Sequence, residues 1–277
     1  MRIIDGYKIA EDILENLSLK VQELKNTGIN PHLGVFLVGN DRISVAYVEK
    51  KKEACQKIGL QFTLQEFPAD ISEEKLIKAV KEIPQREKLT GLIVQLPLPK
   101  HINTDRVLNS INPEIDVDCL NSVNLEKLSQ KNNNLIPPTP GAILEIFKRY
   151  QVDLKIQKIV LIGLGRLVGQ PLAKILLSQG INLKSCDRST QDLSKFTSQA
   201  DVIILATGQK DLISPDMVKK GVIIIDAGCT AEKNKICGDI DFKKFNEKAK
   251  LITPVPGGVG PITVVKLLEN VVKLAKK

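Results

Sequence analysis

Gly163, Gly165 and Gly169 form G-x-G-x-x-x-G directly after the apolar run from Lys158 to Ile162. Glycines so spaced let a chain turn tightly and bring backbone N–H groups up to a phosphate at the start of the following helix. The loop is one residue longer than the G-x-G-x-x-G fingerprint. Asp187 lies 24 residues past Gly163, at the end of the next apolar run. That is near the spacing of an acid that accepts hydrogen bonds from a ribose 2′-hydroxyl. Together these features imply a dinucleotide site. The plain alternative is a tight strand-to-helix turn whose glycines serve only packing.

Tyr47 and Lys51 stand four apart in a stretch with helical periodicity, so both point the same way. Gln95 ends an apolar run just before Pro97-Leu98-Pro99. A lysine held near a glutamine and shielded from water can act as acid, base or electrostatic stabiliser, because burial lowers its pKa towards neutrality. Lys51 also belongs to the run Lys50-Lys51-Lys52, which reads as well as a solvated face, and spacing alone does not select this trio. Asp116 and Asp118 alternate in Ile115-Asp116-Val117-Asp118 and share one face if that segment is extended. The pair could bind a metal, although no further ligands lie nearby. It could equally hydrogen-bond an amino-bearing ligand, or consist of turn acids.

The whole chain bounds these choices. It has 277 residues, which suggests two domains at about 150 residues each. Hydrophobic residues make up 43% and charged residues 26%, an ordinary globular mixture that argues against disorder. No apolar run approaches the roughly 20 residues of a membrane helix. Met1 to Glu11 lacks the apolar stretch of a signal peptide, so a cytoplasmic protein without a membrane partner is expected. The net charge of +8 is dispersed, and there is no Trp and little aromatic interleaving. Nucleic-acid binding is therefore not expected, and an anionic small ligand is. Cys55, Cys119, Cys186, Cys229 and Cys237 fit no zinc spacing and read as buried, reduced thiols. With His32 and His101 alone, a His-based metal site or a Ser-His-Asp triad has little material, and no metal is expected.

The elements that must position these residues alternate. Helical periodicity covers 8–27, 44–58 and a stretch capped by Ser72, between strand-like runs at 33–38, 60–67 and 91–96. The segment 109–140, with Asn132-Asn133-Asn134, reads as a partly ordered connection, followed by a helix over 142–150. Strands at 158–162, 182–186, 201–206, 222–226 and 251–252 then alternate with helices at 167–178 and 190–196, and a helix over 263–276 ends the chain. Such alternation implies parallel strands in an α/β fold, with functional side chains beyond the carboxyl ends of the strands.

Taken together, these segments resemble the bifunctional methylenetetrahydrofolate dehydrogenase/methenyltetrahydrofolate cyclohydrolase family over nearly the whole chain. Ser44-x-x-Tyr47-Val48-x-x-Lys51 is similar to its substrate helix, and Val94-Gln95-Leu96-Pro97-Leu98-Pro99 to its V-Q-L-P-L-P strand end. Asp116-Val117-Asp118 is similar to the core of K-D-V-D-G, and Pro137 with Thr139-Pro140 to P-C-T-P. Val168-Gly169-x-Pro171, Gly238-Asp239-x-Asp241-Phe242 and Thr253-Pro254-Val255-Pro256-Gly257-Gly258-Val259-Gly260-Pro261 complete the likeness.

The resemblance implies a two-domain α/β enzyme. An N-terminal α/β folate domain, 1–137 joined by 263–277, would stand beside a Rossmann-type dinucleotide-binding domain, 138–262. It implies NAD(P)-dependent oxidation of 5,10-methylenetetrahydrofolate, then hydrolysis to 10-formyltetrahydrofolate, by a homodimer. A monofunctional enzyme and a non-catalytic folate- or nucleotide-binding relative are the alternatives. Lys51 would be the main cyclohydrolase residue, tuned by Gln95. Tyr47 would stack on the folate, and Asp118 would bind the pterin's amino and ring NH groups. Ser44, Pro256, Gly257 and Gly260 would lie on the folate side. Gly163, Leu164, Gly165, Arg166, Gly169, Asp187, Arg188 and Cys229 would lie on the cofactor side.

Several positions depart from the family pattern. Leu164 and Gly165 replace the Arg and Ser of G-R-S that help bind the 2′-phosphate of NADP, the family's usual cofactor, and Asp187 brings a carboxylate. At about 4 Å two like charges repel by roughly 1 kcal/mol in water and several times that in a partly dry site, so NAD is the expected preference. Arg166 and Arg188 are the residues that could instead hold a phosphate. Ile115 stands for Lys, Pro138 for Cys and Cys229 for Ile, and Cys119 replaces a glycine at a position expected to need unusual backbone angles.

Overall fold

The structure, a computed structural model, describes residues 1–130, 135–232 and 235–276. In chain order the first elements are β1 (Arg2–Ile3), α1 (Gly6–Asn26), β2 (His32–Val38), α2 (Arg42–Lys57), β3 (Gln61–Phe67), α3 (Glu73–Arg86), β4 (Gly91–Val94), α4 (Thr104–Ser110), α5 (Ser122–Lys127) and α6 (Pro138–Arg149). There follow β5 (Ile159–Ile162), α7 (Gly169–Ser178), β6 (Leu183–Cys186), α8 (Ser194–Thr197), β7 (Val202–Leu205), β8 (Val222–Asp226), β9 (Thr230–Glu232), β10 (Lys235–Cys237), β11 (Ala249–Ile252) and α9 (Val259–Ala275).

The chain divides into two units. One comprises Glu11–Lys127, a short stretch before Thr139 and the chain from Val264 onward. Its parallel three-stranded sheet runs β3-β2-β4. β2 lies in the middle, so nearly all its side chains are buried and it reads as a continuous apolar run. Ile9, Ile13, Leu17, Val21 and Leu24 recur every three or four residues along α1 and are all buried. Asp41 starts α2 by accepting the Ser44 N–H, and Ser72 starts α3 by accepting the Lys75 N–H.

The other unit comprises Met1–Ala10, a short stretch from Leu128 and Thr139–Thr263. Its six-stranded sheet runs β1-β11-β8-β7-β5-β6, and every recorded pairing within it is parallel. β5 is flanked by β6 on one side and β7 on the other, so the order reverses there. In open α/β sheets ligands bind beyond the carboxyl ends of the strands at such a point.

The sequence-based outline needs six corrections. Residues 1–10 group with the dinucleotide-type unit, not with the expected 1–137 segment. The reason is the β1–β11 ladder, Arg2 opposite Leu251 and Ile3 opposite Ile252, and a two-residue strand has no period to read. The segment 109–140 holds α5 and the first residues of α6, and α4 ends just inside it. Side-chain hydrogen bonds order its middle: Asn121 Nδ2 donates to the carbonyls of Asn109 and Ile111, and Asn124 Nδ2 to that of Pro113. Asn132-Asn133-Asn134 lies outside the described residues. The expected 190–196 helix is a single turn at 194–197, and the last helix begins earlier, at Val259. An antiparallel β9–β10 pair appears where no strand was expected. Of the five thiols, Cys229 is exposed and Cys237 half-buried. Among the described residues no helix is long and apolar enough to cross a membrane.

Candidate active site

α2 places Ser44, Tyr47 and Lys51 at three- and four-residue steps, hence on one face. Gln95 follows β4 and prolongs its ladder, its N–H donating to the Phe36 carbonyl at 2.8 Å. Its side-chain NH2 donates to the Leu96 carbonyl at 2.9 Å, and Lys51 Nζ donates to its Oε1 at 2.6 Å. A lysine ammonium can only donate, so this bond requires the amide oxygen to face Lys51. Ser44 is buried, and its hydroxyl donates to Asp41 Oδ2 at 2.8 Å, with the Leu96 carbonyl at 3.4 Å. It therefore ties the start of α2 to the Gln95 segment. The Tyr47 ring is half-buried with Lys50 Nζ 5.4 Å from its centroid.

The two acids of 115–118 do not share a face. Asp116 makes a lone bridge to Leu92, and the backbone then turns through Val117 and Asp118. Asp116 is fully buried, and its Oδ2 accepts from Asn121 N (2.9 Å) and Asn124 Nδ2 (3.1 Å). It orders the loop. Asp118 instead joins the electrostatics of Lys51. Desolvation lowers the lysine pKa, opposed by the Asp118 charge and then by Cys55. Burial pushes Asp118 up to about 6, opposed by Lys51 and reinforced by Asp116. Cys55, one further turn along α2, is buried and pushed up to about 12, chiefly by burial, and stays a thiol.

Cys119 has φ of +56° and is fully buried. A non-glycine residue there costs about 1–2 kcal/mol, and burying its side chain returns a similar amount. Asn270 on α9 holds the same turn, its Nδ2 donating to the carbonyls of Val117 at 2.9 Å and Ile136 at 2.8 Å. Sequence reading did not single out Asn270, because a lone polar residue on an apolar helix carries no motif.

In the other unit the glycine loop links β5 to α7. Gly163 has φ of +97° and its N–H donates to the Cys186 carbonyl at 2.9 Å. A Cβ on Gly169 would overlap the Gly163 carbonyl, whereas one on Gly165 would meet nothing. No side chain caps α7. Uncapped N–H groups behind a close-packed glycine turn suit an anionic oxygen, so these residues fit a dinucleotide phosphate. Leu164 and Arg166 are half-buried in this loop.

Asp187 is exposed directly after β6, with exposed Arg188 beside it. Its Oδ1 accepts from Ser189 N (2.9 Å), Ser189 Oγ (2.6 Å) and more distantly Thr190 Oγ1 (3.5 Å), which lower its pKa. Oδ2 accepts none of these. Cys229 is exposed after β8. Pro256, Gly257 and Gly260 lie between β11 and the first turn of α9, where Gly257 has φ of +101° and its carbonyl accepts the Gly6 N–H at 2.8 Å. Lys51, Gln95 and Asp118 are thus brought together in one unit, with Ser44 and Tyr47 on the same helix. The cofactor-side candidates ring the strand ends of the other unit. Among the described residues no group of three or more His, Cys, Asp or Glu could hold a metal.

Comparison with known proteins gives the same outline. Residues 4–118 match the tetrahydrofolate dehydrogenase/cyclohydrolase catalytic domain, and residues 137–277 match the NAD(P)-binding domain of that family. The bifunctional protein FolD of Nautilia profundicola is 43% identical over 277 residues, covering 100% of this chain and 98% of that protein. The crystal structure of the bifunctional enzyme FolD, a methylenetetrahydrofolate dehydrogenase/cyclohydrolase from Campylobacter jejuni, superposes with a TM-score of 0.95 at 40% identity, covering 100% and 99% of the two chains. The Trypanosoma brucei FolD, complexed with NADP and an inhibitor, superposes at 0.94 with 32% identity, covering 99% and 97%. With both family domains matched and relatives spanning it end to end, this chain belongs to the tetrahydrofolate dehydrogenase/cyclohydrolase family.

Proposed function

We propose that this chain oxidises 5,10-methylenetetrahydrofolate with NAD(P) and hydrolyses the resulting 5,10-methenyl group to 10-formyltetrahydrofolate. The observation that carries the reading is Lys51 Nζ held 2.6 Å from Gln95 Oε1 beside Asp118, in a member of this family. The nicotinamide, when bound, accepts the hydride from the methylene carbon. Asp118 accepts hydrogen bonds from the pterin's amino and ring NH groups, and Tyr47 stacks on the folate, so the one-carbon unit stays near Lys51.

In hydrolysis, neutral Lys51 takes a proton from water as the C–O bond to the methenyl carbon forms. The resulting ammonium then protonates N5 as the C–N5 bond breaks, the new hydroxyl loses its proton to solvent, and the formyl group remains on N10. Desolvation makes this feasible by drawing the lysine's two protonation states closer in energy. Gln95 Oε1 steers the amine, and Ser44 secures the start of α2. Pro256, Gly257 and Gly260 serve the folate side. Supplying 5,10-methenyltetrahydrofolate without nucleotide is expected to give enzyme-dependent loss of the methenyl absorbance. No acceleration over buffer contradicts the hydrolytic half.

Gly163, Gly165 and Gly169 with the start of α7 hold the pyrophosphate, flanked by Leu164, Arg166 and Cys229. Within NAD(P), NAD is preferred, because Asp187 offers a carboxylate oxygen to a ribose diol and repels a 2′-phosphate. A repulsion of roughly 1 kcal/mol corresponds to about fivefold in kcat/KM. NAD is therefore expected to exceed NADP by about fivefold or more, and Asp187→Ser to narrow the gap. Equal values in the wild type contradict this and assign a phosphate to Arg166 or Arg188. The resemblance further implies a homodimer acting in the cytoplasm. Light scattering should give two chains per particle, and a single-chain mass would exclude the dimer.

A further inference from the structure

Asp226 and Asp239 are buried side by side in the dinucleotide-type unit, at 1% and 0% exposure, and the folate chemistry uses neither. Asp226 ends β8. Its Oδ1 accepts Gly228 N at 2.9 Å and its Oδ2 accepts Ile240 N at 3.1 Å. Asp239 Oδ2 accepts both the N–H and the hydroxyl of Thr207, each at 2.8 Å. Each carboxyl presses against one glycine: a Cβ on Gly228 would overlap Asp239, and one on Gly238 would overlap Asp226. Asp239 Oδ1 is buried with no hydrogen-bond partner among the described residues. Among the described residues no lysine or arginine forms an ion pair with either acid. Two neighbouring carboxylates in a dry site without a cation cannot both stay ionised, so the pair retains one proton.

The pair ties together loops at the carboxyl ends of three inner strands. Thr207 follows β7, Gly228 follows β8, and Thr253, whose hydroxyl accepts the Asp226 N–H at 2.7 Å, follows β11. Thr207 also packs on the glycine loop, since a Cβ on Gly163 would stand 2.9 Å from its methyl group. Asp239 therefore seats Thr207, and Thr207 seats Gly163.

We propose that Asp226 and Asp239 are positioning residues that hold the dinucleotide loops through one shared proton, so that dinucleotide affinity falls when that proton is lost. The proposal rests on the dinucleotide reading of this unit. Burial, and then the Asp239 charge, push Asp226 up to about 7, which places the loss just above neutrality. Of the titratable groups on the surrounding loops, Lys210, Asp211, Cys229 and Lys244 are exposed, and Cys237 and Asp241 are half-buried. Thr253, from the β11 side, adds no charge.

The test is NADH affinity by calorimetry from about pH 6 to about pH 9, for the wild type and Asp239→Asn. NADH itself has no group titrating there. An asparagine keeps an oxygen for Thr207 and removes the charge that favours a proton on Asp226. Wild-type affinity is expected to be flat below about pH 7 and to drop by up to about tenfold per unit above it. Asp239→Asn should stay within about twofold throughout. A pH-independent wild type, or parallel losses in both proteins, overturns the proposal and leaves the dinucleotide reading standing; a thiol titration would appear in both.

If neither protein binds NADH or NADPH at any pH, the dinucleotide reading fails instead, and thermal unfolding judges the proton alone. The native wild type keeps a proton that the unfolded chain releases between about pH 4 and about pH 7, so its stability relative to Asp239→Asn should fall across that window. Identical profiles overturn the shared proton. Should Asp239→Asn not fold, a pH-flat affinity of the wild type is still sufficient to overturn the proposal.

Discussion

Lys51→Met removes hydrolysis of 5,10-methenyltetrahydrofolate, with an expected fall in kcat of about 10²–10⁴, the usual worth of one positioned acid–base group. Methionine keeps the length of the lysine stem but can neither take water's proton nor return one to N5. It also ends the 2.6 Å bond to Gln95 Oε1. The fold should tolerate the change, because Asp118, already pushed up to about 6, can take up a proton once the lysine that favours its charge is gone. With NAD(P) and 5,10-methylenetetrahydrofolate, the variant should therefore build up the methenyl intermediate that the wild type consumes. Stopped-flow absorbance reads both species. Undiminished hydrolysis would remove Lys51 from the mechanism.

Asp118→Asn is expected to weaken folate binding more than any other change at the site. A carboxylate accepts from two pterin donors at once. An asparagine presents one oxygen and one NH2, and the NH2 meets a donor. Breaking a buried charge-assisted contact of this kind costs about 2–5 kcal/mol, so KM should rise at least tenfold in both half-reactions. The pH dependence carries a second signature. Asp118 is pushed up to about 6, so the wild type should lose folate affinity as pH falls through about 6 and the carboxylate is protonated. That acid limb should vanish in Asp118→Asn. The Asp118 charge also raises the Lys51 pKa against desolvation, so its removal should move the lysine's limb in the hydrolysis profile to lower pH. An unchanged KM with an unchanged acid limb would mean that Asp118 does not touch the pterin.

Much of this site was readable because local rules governed it. The glycine loop falls between a strand and a helix, and Gly163 and Gly169 are needed for backbone geometry that a side chain would block. Tyr47 and Lys51 share a face because a helix has one period, and Gln95 follows the strand that its apolar run marks. Cys119, substituting a glycine, does adopt a positive φ. What was not readable depends on partners distant in sequence. β1 exists only through its ladder to β11. Asp116 and Asp118 look equivalent in an alternating pattern, yet Asn121 and Asn124 claim one and leave the other to Lys51. Asp226 reads as the last residue of a strand until Gly238-Asp239 folds back against it.

The most direct test of the account is a pair of progress curves with 5,10-methylenetetrahydrofolate and saturating NAD or NADP, following reduced nicotinamide, methenyl and formyl species together. The account predicts reduction of the nicotinamide, faster with NAD, with formyl product appearing at a matching rate and little methenyl accumulating. No reduction with either dinucleotide would contradict the oxidative half, and reduction with methenyl left unhydrolysed would contradict the role given to Lys51, Gln95 and Asp118.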